Sequence, residues 1–215
     1  MPKPDSNNHL SSLFEPRDFI SSISIIIGFH DHAYRQAVIN LLQLRKGDRV
    51  VEIGCGTGRN FALLESAIGS GGTIVAIDAS EKMLAQADKR AARNGWSNIE
   101  LVLSDAATYE FPKLIDGVLS TYTLVIIPKY DQVIKKTYQA LKNGKRLAIL
   151  DQKLPSGQAS LLVPLIRLLS RPIDYYRIFN ERRLWESLRH YFGNVIVKDL
   201  YFGFVYVAVS KKEET

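Results

Sequence analysis

Short apolar runs alternate with helix-forming segments from residue 49 to residue 150, and this alternation limits how the chain can fold. The predicted strands are Arg49–Ile53, Thr73–Ile77, Ile99–Leu103, Gly117–Tyr122 and Arg146–Leu150, and the helices between them are Thr57–Ile68, Glu81–Arg93 and Asp131–Leu141. Ser80 is expected to cap the second helix, Asn94-Gly95 to end it, and Asn143-Gly144 to end the third. Strands joined through helices of this length predict a parallel sheet with right-handed crossovers.

The last part of the chain departs from this alternation. Two apolar runs, Val195–Leu200 and Val205–Val209, are separated by four residues. A gap this short permits only a hairpin, because a parallel crossover needs a dozen residues or more. We therefore predict an α/β fold with a doubly wound, Rossmann-like, seven-stranded sheet. Its last strand is antiparallel, helices cover both faces, and a helical cap completes it.

The composition is that of a soluble globular protein, since 46% of the residues are hydrophobic and 23% are charged. Cys55 is the single cysteine, so no intramolecular disulfide can form, and no run of 18 apolar residues predicts a membrane-spanning helix. The N-terminal residues lack the apolar core of a secretory signal, and we expect a cytoplasmic protein. The net charge of +6 fits a solvated surface that happens to be basic, and it also raises the expectation of anionic partners: acidic lipid headgroups, nucleic acid or an anionic small molecule.

The run VVEIGCGTGRN at residues 50–60 places three glycines directly after the first predicted strand. A strand, a glycine turn and a helix together bring backbone N–H groups close to a polar or anionic ligand. A P-loop is excluded because no Lys-Ser or Lys-Thr pair follows the glycines. The dinucleotide pattern G-x-G-x-x-G fails because Arg59 or Phe61 stands at the third glycine position. The glycines instead form the pattern G-x-G-x-G.

The run E-I-G-C-G-T-G resembles the first motif of the class I S-adenosylmethionine-dependent methyltransferases. The resemblance extends over roughly residues 30–150 in strand order, and also to the closing hairpin. It implies S-adenosyl-L-methionine as the cofactor. The residues expected to bind this cofactor are Glu52, Gly54, Cys55, Gly56, Thr57, Gly58, Asn60, Asp78, Ala79, Met83, Asp105, Ala106 and Thr121.

Two acidic residues extend the motif. Asp78 ends the second predicted strand, 24 residues after Gly54, where a carboxylate can accept both ribose hydroxyls of a nucleoside. Asp105 follows the third strand, and the resemblance implies that it binds the adenine amino group while the N–H of Ala106 meets a ring nitrogen. The resemblance also implies that Ala79 and Met83 flank the adenine.

Glu52 is a carboxylate inside an apolar strand, where burial is costly unless the charge is paired. The resemblance implies that it supports the glycine turn and the methionine amino group. Asn60 is expected to cap the pocket or to contact the methionine moiety, and Cys55 to fill the turn as a small residue.

On this basis 215 residues are expected to form one methyltransferase domain. Its expected parts are an N-terminal cap at 1–45 with a helix over 30–44, a cofactor-binding core at 46–151, a substrate-side insertion at 152–180, and a closing helix and hairpin at 181–215.

The acceptor must be read from the rest of the chain. The motif STYT at 120–123 differs from the [DN]-P-P-[FYW] motif typical of base amino methylation, and there is no Pro-Cys nucleophile, so nucleic acid is less favoured. The chain resembles the ubiquinone/menaquinone C-methyltransferases and the soluble phospholipid N-methyltransferases, mostly through its cofactor half. This resemblance implies methyl transfer to a small, apolar acceptor. An RNA methyltransferase and a non-catalytic cofactor-binding adaptor are the alternatives.

His30, His32 and Tyr122 are candidate bases, needed only if the acceptor must lose a proton. The chain has only four histidines, and the His-x-His pair has no nearby carboxylate except Asp31, so we predict no metal site. The apolar segments 19–28 and 158–170 either pack on the sheet, line an apolar pocket or rest on an anionic membrane. Arg167, Arg171, Arg177, Arg182 and Arg183 lie near enough in sequence to meet the headgroups of such a membrane.

Overall fold

The computed structural model describes residues 30–155, 160–161, 164 and 182–213. The segment 19–28, nearly all of 158–170, and Arg167, Arg171 and Arg177 lie outside the described residues. The expected cap is therefore described only from residue 30, and the expected insertion only in part.

Seven strands and five longer helices make up the described structure. The strands are β1 (Arg49–Ile53), β2 (Thr73–Asp78), β3 (Ile99–Leu103), β4 (Ile115–Thr121), β5 (Leu141–Gln152), β6 (Ile196–Leu200) and β7 (Val205–Lys211). The helices are α1 (Asp31–Leu41), α2 (Phe61–Ile68), α3 (Glu81–Arg93), α4 (Tyr130–Ala140) and α5 (Leu184–Phe192). None of the helices in the described ranges is both long and apolar enough to cross a membrane.

The strands form one sheet in the order β3-β2-β1-β4-β5-β7-β6. The five strands from β3 to β5 are parallel neighbours, whereas β7 lies antiparallel to both β5 and β6. This topology confirms the predicted α/β fold with an antiparallel last strand. The strand order reverses between β1 and β4, which creates the crevice at the carboxyl ends of the strands where such folds bind ligands.

Each face of the sheet buries its own apolar cluster. One cluster packs α1, α2 and α3 against the sheet through residues such as Val38, Phe61 and Leu84. The other packs α4 and α5 through residues such as Val133 and Leu188. Helices therefore cover both faces and leave the carboxyl ends of the strands as the open edge.

Local signals predicted some element ends correctly and misplaced others. Ser80 caps α3 as predicted, because its Oγ accepts a hydrogen bond from Met83 N at 3.3 Å. The prediction that Asn143-Gly144 ends a helix was wrong, since α4 ends at Ala140 and both residues lie inside β5. The register between β4 and β5 shifts at this point, and Gly144 has φ of +77°. The glycine makes a bulge in a strand where a helix end was expected.

Helix α2 begins at Phe61, four residues later than predicted. Gly58 explains the delay, because it lies inside the predicted helix with φ of +73°, and Gly54 and Gly56 before it have φ of +67° and +54°. Left-handed residues cannot form part of a right-handed helix, so residues 54–60 remain a turn.

Candidate functional site

The glycine turn follows β1 at the switch point and depends on the absence of side chains. A Cβ on Gly54 would overlap the side chain of Thr123, which follows β4, and Thr123 Oγ1 donates a hydrogen bond to Gly54 O at 3.2 Å. A Cβ on Gly56 would meet no described atom within 4 Å, so the backbone at Gly56 faces open space. The turn is therefore held closely against β4 on one side and open to a ligand on the other.

Asp78 ends β2 with its carboxylate held between the glycine turn and α3. Its Oδ2 accepts a hydrogen bond from Gly56 N at 2.8 Å, and its Oδ1 accepts one from Ser80 N at 2.9 Å. Each carboxylate oxygen has a second lone pair, so both can still accept a donor from a ligand. The carboxylate is pre-oriented at the edge of the glycine turn.

A buried polar network lies at the carboxyl ends of β1 and β4. Glu52 is fully buried, and its Oε1 accepts a hydrogen bond from Asn60 Nδ2 at 2.6 Å. The same amide nitrogen donates to Thr121 Oγ1 at 2.9 Å. Glu52 Oε2 is buried and has no hydrogen-bond partner among the described residues. A buried acceptor of this kind is costly to leave unpaired and marks a position for a donor.

Burial raises the pKa of Glu52 to about 7, although the Asn60 hydrogen bond and the charge of Arg35 lower it. The nearby charge of Asp78 raises it further. Glu52 is thus poised to ionise near neutral pH, and a cation at its free oxygen would favour the charged form.

Arg35 of helix α1 completes this polar network. Its Nη1 donates to Asn60 Oδ1 and to Thr121 Oγ1, both at 3.0 Å. Its Nε donates to the two oxygens of Asp31 at 3.0 and 2.9 Å, and Arg59 of the glycine turn forms an ion pair with Asp31 at 3.0 Å. Asp31 and Arg35 therefore dock α1 onto both the glycine turn and the end of β4.

Sequence reasoning missed Asp31 and Arg35. The sequence analysis named His30 and His32 of this segment as candidate bases, and the structure leaves both of them exposed. The usable signal was the Asp–Arg pair four residues apart on a predicted helix, which places both side chains on one face.

Four other expected cofactor residues lie near the ends of β2 and β3: Ala79 follows β2, Met83 lies in the first turn of α3, and Asp105 and Ala106 follow β3. Asp105 makes a local turn, with Oδ1 accepting from Ala107 N at 2.9 Å, and Ser104 N donates to Asp78 O at 3.0 Å. Beside them Ala106 is buried, Met83 is half-buried and Ala79 is exposed. The structure thus brings the ends of β2 and β3 together.

Cys55 and Thr57 lie within the turn itself. Burial, with the charges of Glu52 and Asp78, raises the pKa of the Cys55 thiol, so it is no thiolate nucleophile at neutral pH. Thr57 O accepts a hydrogen bond from Arg90 Nε of α3 at 2.9 Å, which ties the turn to that helix.

Tyr122 lies directly after β4 in a left-handed conformation, with φ of +55°. Its hydroxyl is buried without a hydrogen-bond partner among the described residues, and the Arg35 guanidinium lies 5.0 Å from its ring centroid. Burial, followed by the charge of Asp31, holds the pKa of Tyr122 far above its usual value. Tyr122 therefore remains a neutral phenol whose hydroxyl is available to donate a hydrogen bond to a ligand. In the described part of the chain, no group of three or more His, Cys, Asp or Glu side chains is placed to hold a metal ion.

The chain is similar in sequence and in fold to known methyltransferases. Residues 50–144 match a family model described as a methyltransferase domain. A demethylmenaquinone methyltransferase of Listeria monocytogenes serotype 4a is 30% identical over 133 residues, covering 61% of this chain and 56% of that protein. One of Lactobacillus johnsonii is 27% identical over 203 residues, covering 84% of this chain and 83% of that protein.

Among solved structures, a SAM-dependent methyltransferase from Aquifex aeolicus has a TM-score of 0.66 at 17% identity, covering 97% of this chain and 99% of that one. This similarity shows the fold. The chain spans just over half the length of the Listeria relative. Residues 50–144 thus match a methyltransferase domain, and the chain is similar in sequence to demethylmenaquinone methyltransferases and in fold to a SAM-dependent methyltransferase.

Proposed function

We propose that this chain transfers a methyl group from S-adenosylmethionine to a small, apolar, quinone-like acceptor. The proposal that S-adenosylmethionine binds here rests on the buried Oε2 of Glu52, which has no hydrogen-bond partner among the described residues and lies beside the open glycine turn. The proposed quinone-like acceptor is supported by the sequence similarity of the chain to demethylmenaquinone methyltransferases.

The residues at this edge fit both ends of the cofactor. Glu52 Oε2 would accept from the methionine ammonium group, and Arg35 would face the methionine carboxylate. Both oxygens of Asp78 keep a free lone pair for the ribose hydroxyls. Asp105, Ala106, Ala79 and Met83 would surround the adenine. When bound, the cofactor supplies an electrophilic methyl group on a sulfonium that is a good leaving group.

The chain's own contribution is to align the acceptor and exclude water. Holding two reactants in attack geometry can supply about 7–11 kcal/mol of the barrier reduction. Tyr122 would orient an acceptor oxygen by donating a hydrogen bond to it, because the raised pKa keeps the phenol protonated at neutral pH. The exposed His30 and His32 remain candidate bases for an acceptor that must lose a proton.

The rest of the chain fits a lipid-like acceptor. A net charge of +6 would favour transient contact with an anionic membrane, where apolar acceptors reside. We also propose that the chain forms one domain, composed of the cap, the core, the insertion and the closing helix and hairpin defined above.

A labelled-methyl assay tests the acceptor class. The chain is incubated with S-adenosylmethionine carrying a labelled methyl group and with cell extract separated into lipid, small-molecule and RNA fractions. We expect label in the lipid fraction. Label confined to RNA would contradict the proposed acceptor, and binding of S-adenosylhomocysteine with no transfer to any fraction would favour a non-catalytic adaptor.

A further inference from the structure

The turn between β6 and β7 holds two aromatic residues, the half-buried Tyr201 and the exposed Phe202, in a strained backbone conformation. Tyr201, Phe202 and Gly203 have φ of +44°, +55° and +84° in succession. A non-glycine residue in the left-handed region costs about 1–2 kcal/mol. Phe202 does not offset this cost by burial, because it is 78% exposed. Strain of this kind accumulates where function requires a particular geometry.

The turn lies at the carboxyl edge of the sheet, which also holds the glycine turn. Val205, just after the turn, pairs with Gln152, the last residue of β5, and Lys153 N donates to Phe204 O at 3.1 Å. β5 is the direct neighbour of β4, whose end carries Tyr122. The turn therefore lies on the side of the crevice away from Asp78.

Three tyrosines from separate elements line this side. Tyr34 of α1, Tyr122 after β4 and Tyr201 of the turn all pack partly buried against the same apolar cluster. Burial, followed by the nearby Tyr34 phenol, raises the pKa of Tyr201. Phe202 extends this aromatic surface outward, with its ring centroid 5.6 Å from that of Tyr201.

We infer that the β6–β7 turn recognises the methyl acceptor and that Phe202 contacts a planar aromatic ring of that acceptor. This inference rests on the proposed function and specifies the chemical class of the acceptor. Aromatic faces and edges attract one another beyond simple area burial, and tyrosine hydroxyls can bind polar substituents on the ring. The strain at Phe202 is explained if it aims the exposed ring at the bound acceptor.

The test measures binding of 1-naphthol to the full chain saturated with S-adenosylhomocysteine, by ligand-observed NMR titration. Phe202→Gly is expected to weaken naphthol binding about fivefold, which corresponds to about 1 kcal/mol. The same variant is expected to unfold at the parent's temperature or higher, because glycine tolerates φ of +55°. Phe202→Tyr should bind naphthol like the parent, and S-adenosylhomocysteine affinity should be unchanged in both variants.

Leu114→Gly is the matched control. Leu114 has φ of +58° and is 68% exposed, but it directly precedes β4 at the opposite edge of the sheet. It should therefore leave naphthol binding unchanged. Parent-like naphthol binding by Phe202→Gly, or equal weakening by Leu114→Gly, would overturn the role of Phe202. A parent that binds S-adenosylhomocysteine but no naphthol would overturn the acceptor class alone. Failure to bind S-adenosylhomocysteine would instead overturn the proposed function as well.

Discussion

Replacing Asp78 with alanine is expected to weaken binding of S-adenosylhomocysteine more than a hundredfold. The two carboxylate oxygens are held by Gly56 N and Ser80 N at 2.8 and 2.9 Å, and we propose that both accept ribose hydroxyls. Hydrogen bonds to a charged group contribute about 1.5–3 kcal/mol each, so losing two costs about 3–6 kcal/mol of binding. Isothermal titration calorimetry measures the change.

Asp88→Ala is the matched control for this experiment, because Asp88 is an exposed carboxylate on α3, the helix that follows Asp78. It should bind S-adenosylhomocysteine like the parent. Thermal unfolding of both variants without ligand separates a loss of binding from a loss of folding. Parent-like affinity in a folded Asp78→Ala variant would overturn the ribose assignment.

Affinity for S-adenosylhomocysteine is expected to fall as pH drops below 7, by up to tenfold per pH unit. Burial raises the pKa of Glu52 to about 7, so the unliganded protein holds it protonated below that pH. The proposed contact with the ligand ammonium needs the carboxylate, and each proton that must be released costs about 1.4 kcal/mol per pH unit. Calorimetric titrations between about pH 5 and 8.5 measure the slope.

Glu52→Gln should remove this pH dependence and bind weakly throughout. 5′-Methylthioadenosine lacks the amino-acid end, so its affinity for the parent should stay nearly flat over the same range. An equal slope for both ligands, or an unchanged slope in Glu52→Gln, would rule out Glu52 as the partner of the ammonium group.

Protein stability alone is a poorer readout for Glu52. The unfolded chain ionises this side chain near the ordinary glutamate pKa of 4.5, whereas the folded protein keeps it neutral up to about 7. Unliganded stability should therefore decrease as pH rises between these values. Burial also raises the pKa of Asp151 to about 7, so this residue likewise makes the unliganded protein less stable as pH rises. Ligand binding is therefore the measurement that isolates Glu52.

The sheet could be predicted because short-range signals determine it. Alternating strands and helices imply parallel crossovers, and four residues between β6 and β7 permit only a hairpin. The Asn143-Gly144 error shows the limit of such signals. A left-handed glycine suits a helix end or a bulge equally well, and here the hydrogen bond from Gly144 N to the carbonyl of Lys212, directly after β7, keeps the glycine within strand β5.

The placement of Glu52, the glycines and Asp78 along one edge of the sheet was predictable in the same way, since these residues occupy fixed positions at strand ends. The contacts that α1 makes with the site could not be predicted from the sequence. Arg35 reaches Asn60 and Thr121 across 25 and 86 residues of sequence, and no local pattern specifies such contacts. The raised pKa of Glu52 and the strain at Phe202 likewise depend on burial and packing that exist only in the folded chain.

The most direct measurement is a calorimetric titration of the unmodified chain with S-adenosylhomocysteine and, separately, with NAD⁺. We expect saturable binding of S-adenosylhomocysteine, with the folded state stabilised by about 2.7 kcal/mol at a hundred times the dissociation constant. NAD⁺ should neither bind nor stabilise, because Arg59 and Phe61 stand where a dinucleotide site needs a small residue. Binding of NAD⁺ in place of S-adenosylhomocysteine, or stabilisation by neither, would contradict the assignment of this edge to a sulfonium cofactor.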